Sequence, residues 1–385
     1  MTELETQVLV IGGGVTGTGV IRDLALRGLD VVLLERGNLA SGTTGNFHGL
    51  LHSGGRYAVK DPDAARECIE ENRILRKIAP FAIEDTGGYF VALDNSDLAF
   101  MPGFVEGCRK IGIPVEEVSG EEARREEPAL TPEVKKAVTV PDGSIDGYGL
   151  ASANAADARR HGARTFMYTP VVEIFRKNNS VVGAKAVDQK SGEAVQVKAD
   201  YVVNAAGAWS GRVAELAGVH VDMAPDHGTM VVIEGRPVKR AINRCRKPAD
   251  GDIIVPIGTT VVLGTTAVPT ADPDNFTIEE WEVQRVISEC VAMVPIIGSM
   301  GVRRTYAGVR PLYKPPEVAG ETRALSRSHY VIDHEKRDGI ANFLTITGGK
   351  VTTYRLMAKD TADAVCRHLN VDKPCRTHLE PLTPG

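Results

Sequence analysis

The feature that most constrains the fold is a glycine-rich turn between a short apolar strand and a helix, in the segment VLVIGGGVTG at residues 8–17. In such a unit Gly12 permits the tight turn, Gly14 lets the backbone approach a pyrophosphate, and Gly17 lets the helix pack closely on its strand. The predicted helix, from about residue 15 to 26, directs free N–H groups and its positive dipole end toward the phosphates. The unit therefore predicts a dinucleotide site on a parallel sheet.

Glu35 narrows the choice of dinucleotide. It ends the next apolar run, DVVLLER, 21 residues after Gly14, where a carboxylate accepts hydrogen bonds from a ribose diol. An arginine at this place would indicate a 2′-phosphate instead, so NADP is the least favoured ligand. The motif alone does not distinguish between NAD and FAD as the bound dinucleotide.

Composition excludes several classes of protein. The chain has 385 residues, 43% hydrophobic and 25% charged, which is an ordinary globular balance. Its net charge of −5 predicts no nucleic-acid partner, and an anionic substrate would need local cations. The N-terminus has no signal-peptide layout and no apolar run reaches about 18 residues, so we expect a cytoplasmic protein without a transmembrane helix. Six cysteines without a C-x-x-C pair predict reduced thiols.

The order of the predicted elements suggests an insertion. Strand and helix patterns alternate at the start, as a parallel sheet requires, whereas residues 171–204 and 220–265 are rich in β-like runs. The run FLTIT then meets a second glycine turn, GGK, and another helical pattern. This order predicts a sheet domain interrupted by a second domain. Three helix starts carry capping signals: Asp61 with Pro62, Ser119 with Glu122, and Thr277 with Glu280.

The segment ASGTTGNFHGLLHSGGRYAV, residues 40–59, is dense in turn formers. Composition alone favours a surface loop, but the interleaved apolar residues argue against a fully solvated one. His48 and His52 are four residues apart and would share a helix face as metal ligands, yet no third ligand is evident and no metal is predicted. Arg56, taken alone, is typical of a solvated charge.

Two basic positions near the end of the chain are candidates for binding an anion. Arg310 stands between Val309 and Pro311 in an apolar, glycine-bounded segment, which predicts a fixed and partly buried guanidinium suited to a carboxylate or phosphate. Lys350 follows the GGK turn at a predicted helix start, where negative charge is stabilised. A plain turn with a solvated lysine is an equal alternative for Lys350.

Together these segments resemble the FAD-dependent glycerol-3-phosphate dehydrogenases, and among them the catalytic A subunits of the anaerobic enzymes. The resemblance spans roughly residues 8–370 and rests on the strings GGGVTGTGVIRDLALRG, TTG..HGLLHSGGRYAV, ARECIEEN, VVNAAGAWS, INRCRKPADGDIIVP, YAGVRPL and ITGGKVTTYRLMA. It implies FAD and an α/β fold of the glutathione-reductase/D-amino-acid-oxidase type with an inserted, strand-rich α+β substrate domain. The implied FAD-binding domain comprises residues 1–85, 145–215 and 335–385, and the substrate-binding domain comprises 86–144 and 216–334.

The resemblance also implies a set of contacts that follows FAD from its pyrophosphate to its flavin. The set is Gly12, Gly14 and Gly17 at the pyrophosphate; Glu35 at the adenosine ribose; Thr43, Thr44, His48 and Gly49 along the diphosphate and flavin; Val172 at the adenine; Ala206 and Gly207 beside the cofactor; and Gly349, Lys350, Val351 and Thr352 at the flavin pyrimidine edge. At that edge Lys350 and a helix dipole would stabilise the negative charge of reduced flavin.

The implied substrate site is cationic. Its members are Arg56, Arg310, Arg327 and Lys350, which match the family positions that bind the phosphate and hydroxyls of the substrate. Hydride would pass from substrate C2 to flavin N5 while a base takes the hydroxyl proton, with His52 favoured and His227 second.

The implied reaction is the oxidation of sn-glycerol 3-phosphate to dihydroxyacetone phosphate. Electrons would pass to redox partner subunits and finally to quinone, so membrane contact would be peripheral, on the cytoplasmic face of the inner membrane. Members of this family continue into a region with paired cysteines, whereas this sequence ends at Gly385 with only Cys366 and Cys375 nearby, as a naturally short or a truncated form. The alternatives are an FAD-dependent oxidase or dehydrogenase of another small anionic 2-hydroxy or amino acid, or a flavin-bearing protein that serves only in assembly.

Overall fold

The computed structural model describes residues 2–315 and 328–385, and most of its strands belong to two large sheets. The strands are, in chain order, β1 (Thr2–Ile11), β2 (Val31–Leu34), β3 (Leu50–Leu51), β4 (Ile83–Glu84), β5 (Gly88–Ala92), β6 (Glu116–Ser119), β7 (Lys136–Val140), β8 (Gly143–Ile145), β9 (Arg164–Phe166), β10 (Val171–Lys177), β11 (Ser180–Val187), β12 (Ala194–Asn204), β13 (Asp226–Ile233), β14 (Ala241–Arg244), β15 (Ile253–Ile257), β16 (Thr260–Gly264), β17 (Val268–Pro269), β18 (Val302–Arg310), β19 (His329–Asp333) and β20 (Phe343–Gly348).

The helices cover these sheets. They are α1 (Val15–Leu26), α2 (Pro62–Ile78), α3 (Asn95–Ile111), α4 (Gly120–Glu126), α5 (Gly147–Arg160), α6 (Ser210–Leu216), α7 (Glu280–Met293), α8 (His334–Asp338) and α9 (Tyr354–His368). Within the two described ranges, no helix combines the length and the apolar character that a membrane span requires.

The first sheet carries the glycine turn. Its strand order is β10-β11-β12-β1-β2-β9, with β20 parallel to the end of β12 and β19 antiparallel to β20. The pairs β1–β12, β1–β2 and β2–β9 are all parallel. Alternate residues of β1 enter separate cores: Val8 and Val10 pack with α1 and α9, while Leu9 and Ile11 pack with residues of β10 and β11. This double burial explains why the run is continuously apolar.

The second sheet has the order β17-β13-β16-β15-β14-β5-β7-β6, with β18 paired to β13. Its pairings are antiparallel except that between β14 and β5. The short strands β3, β8 and β4 form a third, small sheet.

The membership of the strands in the two sheets can be compared with the predicted insertion. Strands from residues 2–34, 164–204 and 329–348 build the first sheet, whereas those from 88–140 and 226–310 build the second. One element differs, because β19 pairs with β20 in the first sheet although the predicted boundary at 334 assigns it to the substrate domain. A boundary before β19 therefore fits the strand pairing better, and the domain limits stay a prediction.

The capping predictions have mixed outcomes. Asp61 caps α2 by accepting the Ala64 N–H, and Ser119 caps α4 by accepting the Glu122 N–H, both as predicted. The predicted cap at Thr277 is wrong: α7 begins at Glu280 behind a capping box formed by Glu279 and Glu282. The reason is tertiary, because the Glu282 carboxylate is drawn into a buried cluster with Thr229 and Thr266.

Candidate active site

A cleft of about 420 Å³ opens at the carboxyl ends of the parallel strands in the first sheet. This edge is where ligands bind in open α/β sheets, because the connecting loops and helix starts converge there. Ten of the residues expected at the cofactor line it: Gly12, Gly14, Glu35, Thr43, Thr44, Ala206, Gly207, Gly349, Lys350 and Val351.

The glycine turn leaves room for a ligand. Gly12 has a φ of +116°, and a Cβ there would lie 2.5 Å from the Ala205 carbonyl oxygen. A Cβ on Gly14 would approach only Thr44 Oγ1, at 3.2 Å, so this position borders open space. Gly17 does not line the cleft. A Cβ added there would lie 1.9 Å from the Gly12 carbonyl oxygen, so the absence of a side chain allows the helix and the turn to touch.

The start of α1 is suited to an anion. Gly14 is the N-cap and supplies no side chain to the helix, and Gly14, Val15 and Thr16 all line the cleft. The Val15 N–H donates to Thr44 Oγ1 at 3.1 Å, which ties the helix start to the predicted diphosphate segment. A backbone cradle at a positive helix end fits the pyrophosphate of a dinucleotide.

Glu35 lies at the end of β2, where the ribose is expected. Its Oε2 accepts the Gly13 N–H at 2.5 Å and its Oε1 accepts the Gly37 N–H at 2.7 Å. These two bonds hold the carboxylate at the cleft, and its remaining lone pairs are free to accept from a diol.

Besides Gly17, four predicted cofactor residues are not among those that line the cleft. Gly49 is buried against Ile257, and Thr352 is buried with its hydroxyl accepting the His52 N–H at 3.1 Å. Val172 is 47% exposed, whereas its neighbours Pro170 and Val171 line the cleft. His48, the fourth, lies beside His52, and their ring centroids are 5.3 Å apart.

Sequence reasoning missed a cluster that the structure places at the cleft. Arg36, Trp209 and Arg212 line it, and all three donate to the Asp274 carboxylate. Arg36 also stacks over the Trp209 ring, with its guanidinium carbon 4.2 Å from the centroid. Trp209 is one of two tryptophans and directly follows the AAGA of VVNAAGAWS. Its position next to a segment expected at the cofactor was the sequence signal for this cluster.

His48 and His52 are held without charge. His48 Nδ1 accepts the Leu50 N–H at 3.0 Å. Burial, followed by repulsion from Arg56 and Arg310, lowers the pKa of His48 to about 3. Burial lowers the pKa of His52 well below its ordinary value, and electrostatic repulsion from His48, Arg56 and Lys350 acts in the same direction. A neutral imidazole at pH 7 can accept a proton.

The basic residues come together from distant segments. Arg56 and Arg310 both lower the pKa of His48. The Lys350 ammonium nitrogen lies 4.8 Å from the centroid of the Tyr57 ring, and the Tyr57 and His52 ring centroids are 5.6 Å apart. Arg327 lies outside the described residues.

A hydrogen bond joins the predicted cofactor loop to the end of β18. Thr43 donates to the Val309 carbonyl at 2.6 Å, and Val309 immediately precedes Arg310. The loop expected along the diphosphate is therefore fixed to the strand that carries a predicted substrate ligand.

His227, the second candidate for the base, is engaged elsewhere. It is buried in β13, its Nε2 lies 3.1 Å from Glu282 Oε1, and its ring stacks on Phe276 at 4.7 Å. It is not among the residues that line the cleft. His52 is not among the lining residues either, so the choice of His52 over His227 as the base stays a prediction.

Comparisons with known proteins agree with this architecture. Residues 7–364 match the model of the "FAD dependent oxidoreductase" family. Among curated relatives, the chain is 47% identical over 388 residues to the A1 subunit of anaerobic glycerol-3-phosphate dehydrogenase from Haloferax volcanii, covering 98% of this chain and 66% of the relative. It is 45% identical to the A subunit of the same enzyme from Haemophilus influenzae, covering 100% of this chain and 68% of the relative. The chain thus spans about two thirds of the length of these relatives.

Two solved structures share the fold. Glycine oxidase from Bacillus cereus superposes with a TM-score of 0.78 at 23% identity, covering 98% of both chains. Glycerol-3-phosphate dehydrogenase from Bacillus halodurans, complexed with FAD, superposes with a TM-score of 0.74 at 24% identity, covering 98% of this chain and 68% of that one. The predicted fold class, the oxidoreductase class and the choice of FAD over NAD are confirmed. The chain belongs to the FAD dependent oxidoreductase family, and within it to the group of anaerobic glycerol-3-phosphate dehydrogenase A subunits.

Proposed function

We propose that this chain oxidises sn-glycerol 3-phosphate to dihydroxyacetone phosphate. The observation that carries the proposal is the meeting of Arg56, Arg310 and Lys350 with two neutral histidines beside the cofactor cleft, which Lys350 itself lines. A small phosphorylated alcohol needs both features: fixed cations for its phosphate, and a neutral base for the proton of its C2 hydroxyl.

The residues present fit FAD. Gly12, Gly14 and the start of α1 would hold the pyrophosphate, Glu35 the adenosine ribose, and the turn from Gly349 to Val351 the flavin. When bound, FAD supplies the acceptor of the two electrons that leave C2 as a hydride. Lys350 and the backbone N–H groups beside it would then stabilise negative charge at the flavin.

His52 is the proposed base. The residue is 7% exposed, and its backbone is anchored by the Thr352 hydroxyl and by Asn72, whose side-chain amide donates to the His52 carbonyl at 3.1 Å. These anchors hold the imidazole in place while burial keeps it unprotonated. His52 would take the hydroxyl proton as the C2–H bond breaks, so that a ketone forms and charge is balanced.

Arg56, Arg310 and Lys350 are the proposed phosphate ligands, and Arg327 is proposed with them from the sequence alone. Charge-assisted hydrogen bonds from guanidinium groups are strong and directional, which suits a phosphate held against the flavin.

We further propose that electrons leave through partner subunits to quinone and that any membrane contact is peripheral, on the cytoplasmic face. The curated relatives are named as lettered subunits of a dehydrogenase, which supports an assembly with further chains.

Anaerobic reduction of the bound flavin tests the proposal. We expect sn-glycerol 3-phosphate to bleach the oxidised flavin band rapidly, while glycerol, lactate and glycine have little effect. Bleaching by a carboxylate substrate instead would favour an oxidase or dehydrogenase of another anionic 2-hydroxy or amino acid. A fully flavinated sample that no substrate bleaches would overturn the proposal and favour a role in assembly alone.

A further inference from the structure

Both arginines proposed to bind the substrate phosphate are already bonded to a buried carboxylate. Arg310 Nη1 donates to Asp226 Oδ1 at 2.7 Å, and Arg56 Nη2 donates to Asp252 Oδ1 at 2.9 Å. The side chains of Asp226 and Asp252 are 0% and 1% exposed. Burying a carboxylate is unfavourable unless an ion pair and hydrogen bonds compensate, so each aspartate requires its arginine to stay in one place.

We propose that Asp226 and Asp252 are positioning residues of the oxidation. They aim the guanidinium groups of Arg310 and Arg56 at the substrate phosphate, and they offset the positive charge of the site. This inference rests on the proposed role of the two arginines in binding substrate.

Arg310 is held by acceptors from three directions. Asp226 stands directly opposite it in the register of β13 and β18. Arg310 Nη2 donates to the Thr265 hydroxyl and to the Thr266 carbonyl, the latter at 2.9 Å. A guanidinium has five N–H donors, so these three acceptors fix its plane and leave donors for a phosphate.

The backbone beneath Arg310 is shaped to receive it. A Cβ on Gly228 would lie 2.4 Å from Arg310 Nη2 and 2.8 Å from the guanidinium carbon. The guanidinium therefore lies directly against the backbone of β13, two residues beyond Asp226. A larger residue at Gly228 would displace it.

Arg56 has an analogous arrangement. Its Nη1 lies 3.4 Å from Asn243 Oδ1 in β14, while its Nη2 is held by Asp252. The second oxygen of Asp252 accepts the Ala249 N–H at 3.1 Å, so the carboxylate is fixed at both oxygens. A buried aspartate thus pairs with each arginine, although Asp252 is bonded at both oxygens and Asp226, among the described residues, only at Oδ1.

The charge balance has a separate consequence. Because each guanidinium is paired with a carboxylate, the phosphate meets directed N–H groups and not a large unbalanced positive field. Removing the carboxylate group should leave the guanidinium without a fixed orientation. Removing only the charge of the carboxylate should keep that orientation and strengthen anion binding. Alanine and asparagine variants separate these two effects.

The experiment compares Asp226→Ala and Asp226→Asn in the flavinated protein. Asp226→Ala should raise KM for sn-glycerol 3-phosphate, and Ki for inorganic phosphate as competitive inhibitor, by about 10-fold or more, because an aimed charge-assisted bond is lost. Its kcat should change by less than about 3-fold, and its Kd for FAD should not change. Asp226→Asn keeps an acceptor oxygen, so its KM should stay at or below the wild-type value and its Ki for phosphate should fall.

Three further variants make the outcome decisive. Asp97→Ala removes an equally buried carboxylate, in α3, that pairs with Arg244 of β14 at 2.9 Å, and it should leave KM and Ki unchanged. If Arg310→Ala leaves KM unchanged, the proposed function of Arg310 fails. If Arg310→Ala raises KM but Asp226→Ala does not, or if Asp226→Asn weakens phosphate binding as strongly as Asp226→Ala, the positioning role is overturned. Gly228→Ala should reproduce the rise in KM if Asp226→Ala does not fold.

Discussion

The imidazoles of His48 and His52 lie among Arg56, Arg310 and Lys350, and their own charge is set by that environment. A proton on either ring would add a cation to a buried and already basic site. Both pKa values are therefore lowered, and both rings are neutral at pH 7. Neutrality is what allows His52 to serve as a proton acceptor, and it carries a cost in stability at low pH.

The pH dependence of folding tests the charge of His48. The unfolded chain protonates this residue near pH 6.5, whereas the folded protein excludes the proton until about pH 3. The stabilising contribution is therefore complete above pH 6.5 and is lost as pH falls below it, by up to about 1.4 kcal/mol per pH unit. Between pH 7.0 and 5.5 the wild type should lose about 1.2 kcal/mol more free energy of unfolding than His48→Gln.

Urea unfolding at the two pH values measures this difference. His161→Gln, at the exposed end of α5, is the matched control and should follow the wild type. Equal pH dependence in the wild type and His48→Gln would contradict a neutral His48 in the folded protein.

Single residues differ in how far the sequence predicts their place. Gly12, Gly14 and Glu35 lie where the motif predicts, because their partners are close in sequence or in the same strand–turn–helix unit. The position of His227 was not predictable in this way. Its Nε2 partner, Glu282, lies 55 residues further along the chain and carries no signal of its own.

At the scale of elements, the contact between β1, the glycine turn and α1 depends on the absence of a side chain at Gly17. A Cβ there would overlap the Gly12 carbonyl oxygen, so helix and turn would have to separate. Gly17→Ala should therefore weaken FAD binding by about 10-fold or more, because the backbone cradle at the helix start moves.

Fluorescence titration of the apoprotein with FAD measures this effect. Gly103→Ala, in α3, is the control, because a Cβ at that position meets nothing within 4 Å and alanine favours a helix. Gly103→Ala should bind FAD as the wild type does. A Gly17→Ala variant that retains wild-type FAD affinity would contradict the proposed contact.

Elements were predictable where their signals are local. The helix α1, the caps of α2 and α4, and the run that forms β20 all follow from short-range patterns. The start of α7 did not, because the buried contacts of Glu282 with Thr229 and Thr266 select a different cap. A tertiary contact here overrides a capping signal of similar strength.

At the scale of the whole molecule, Asp274 connects segments of the two large sheets through three residues that line the cleft. It follows β17 of the second sheet and accepts from Arg36, Trp209 and Arg212, which follow β2 and β12 of the first. Arg212 also pairs with Asp272 at 2.5 Å. Three donors on one carboxylate at the mouth of the cofactor cleft form a clasp, defined here as Asp274 with these three partners.

Loss of this clasp should speed the release of FAD. Asp274→Ala should increase the dissociation rate of FAD several-fold at low ionic strength, because the cleft opens more often. The difference from wild type should shrink near 1 M salt, where exposed ion pairs are screened. Asp63→Ala, which removes an exposed partner of Arg66 in α2, is the control and should not change the rate. Identical rates for Asp274→Ala and wild type at low salt would rule out the clasp.

The sequence by itself determined the cofactor turn, the alternation of elements that surrounds it, and a family resemblance whose fold and FAD cofactor the comparisons confirm. These features arise from backbone geometry and from residues near one another in the chain. Only the tertiary structure decided which carboxylate faces which arginine, which histidines lose their charge, and which carboxylate joins Arg36, Trp209 and Arg212. Those outcomes depend on burial and on charges brought together from distant segments, such as Asp226 with Arg310 and Asp252 with Arg56, and no local pattern encodes such a meeting.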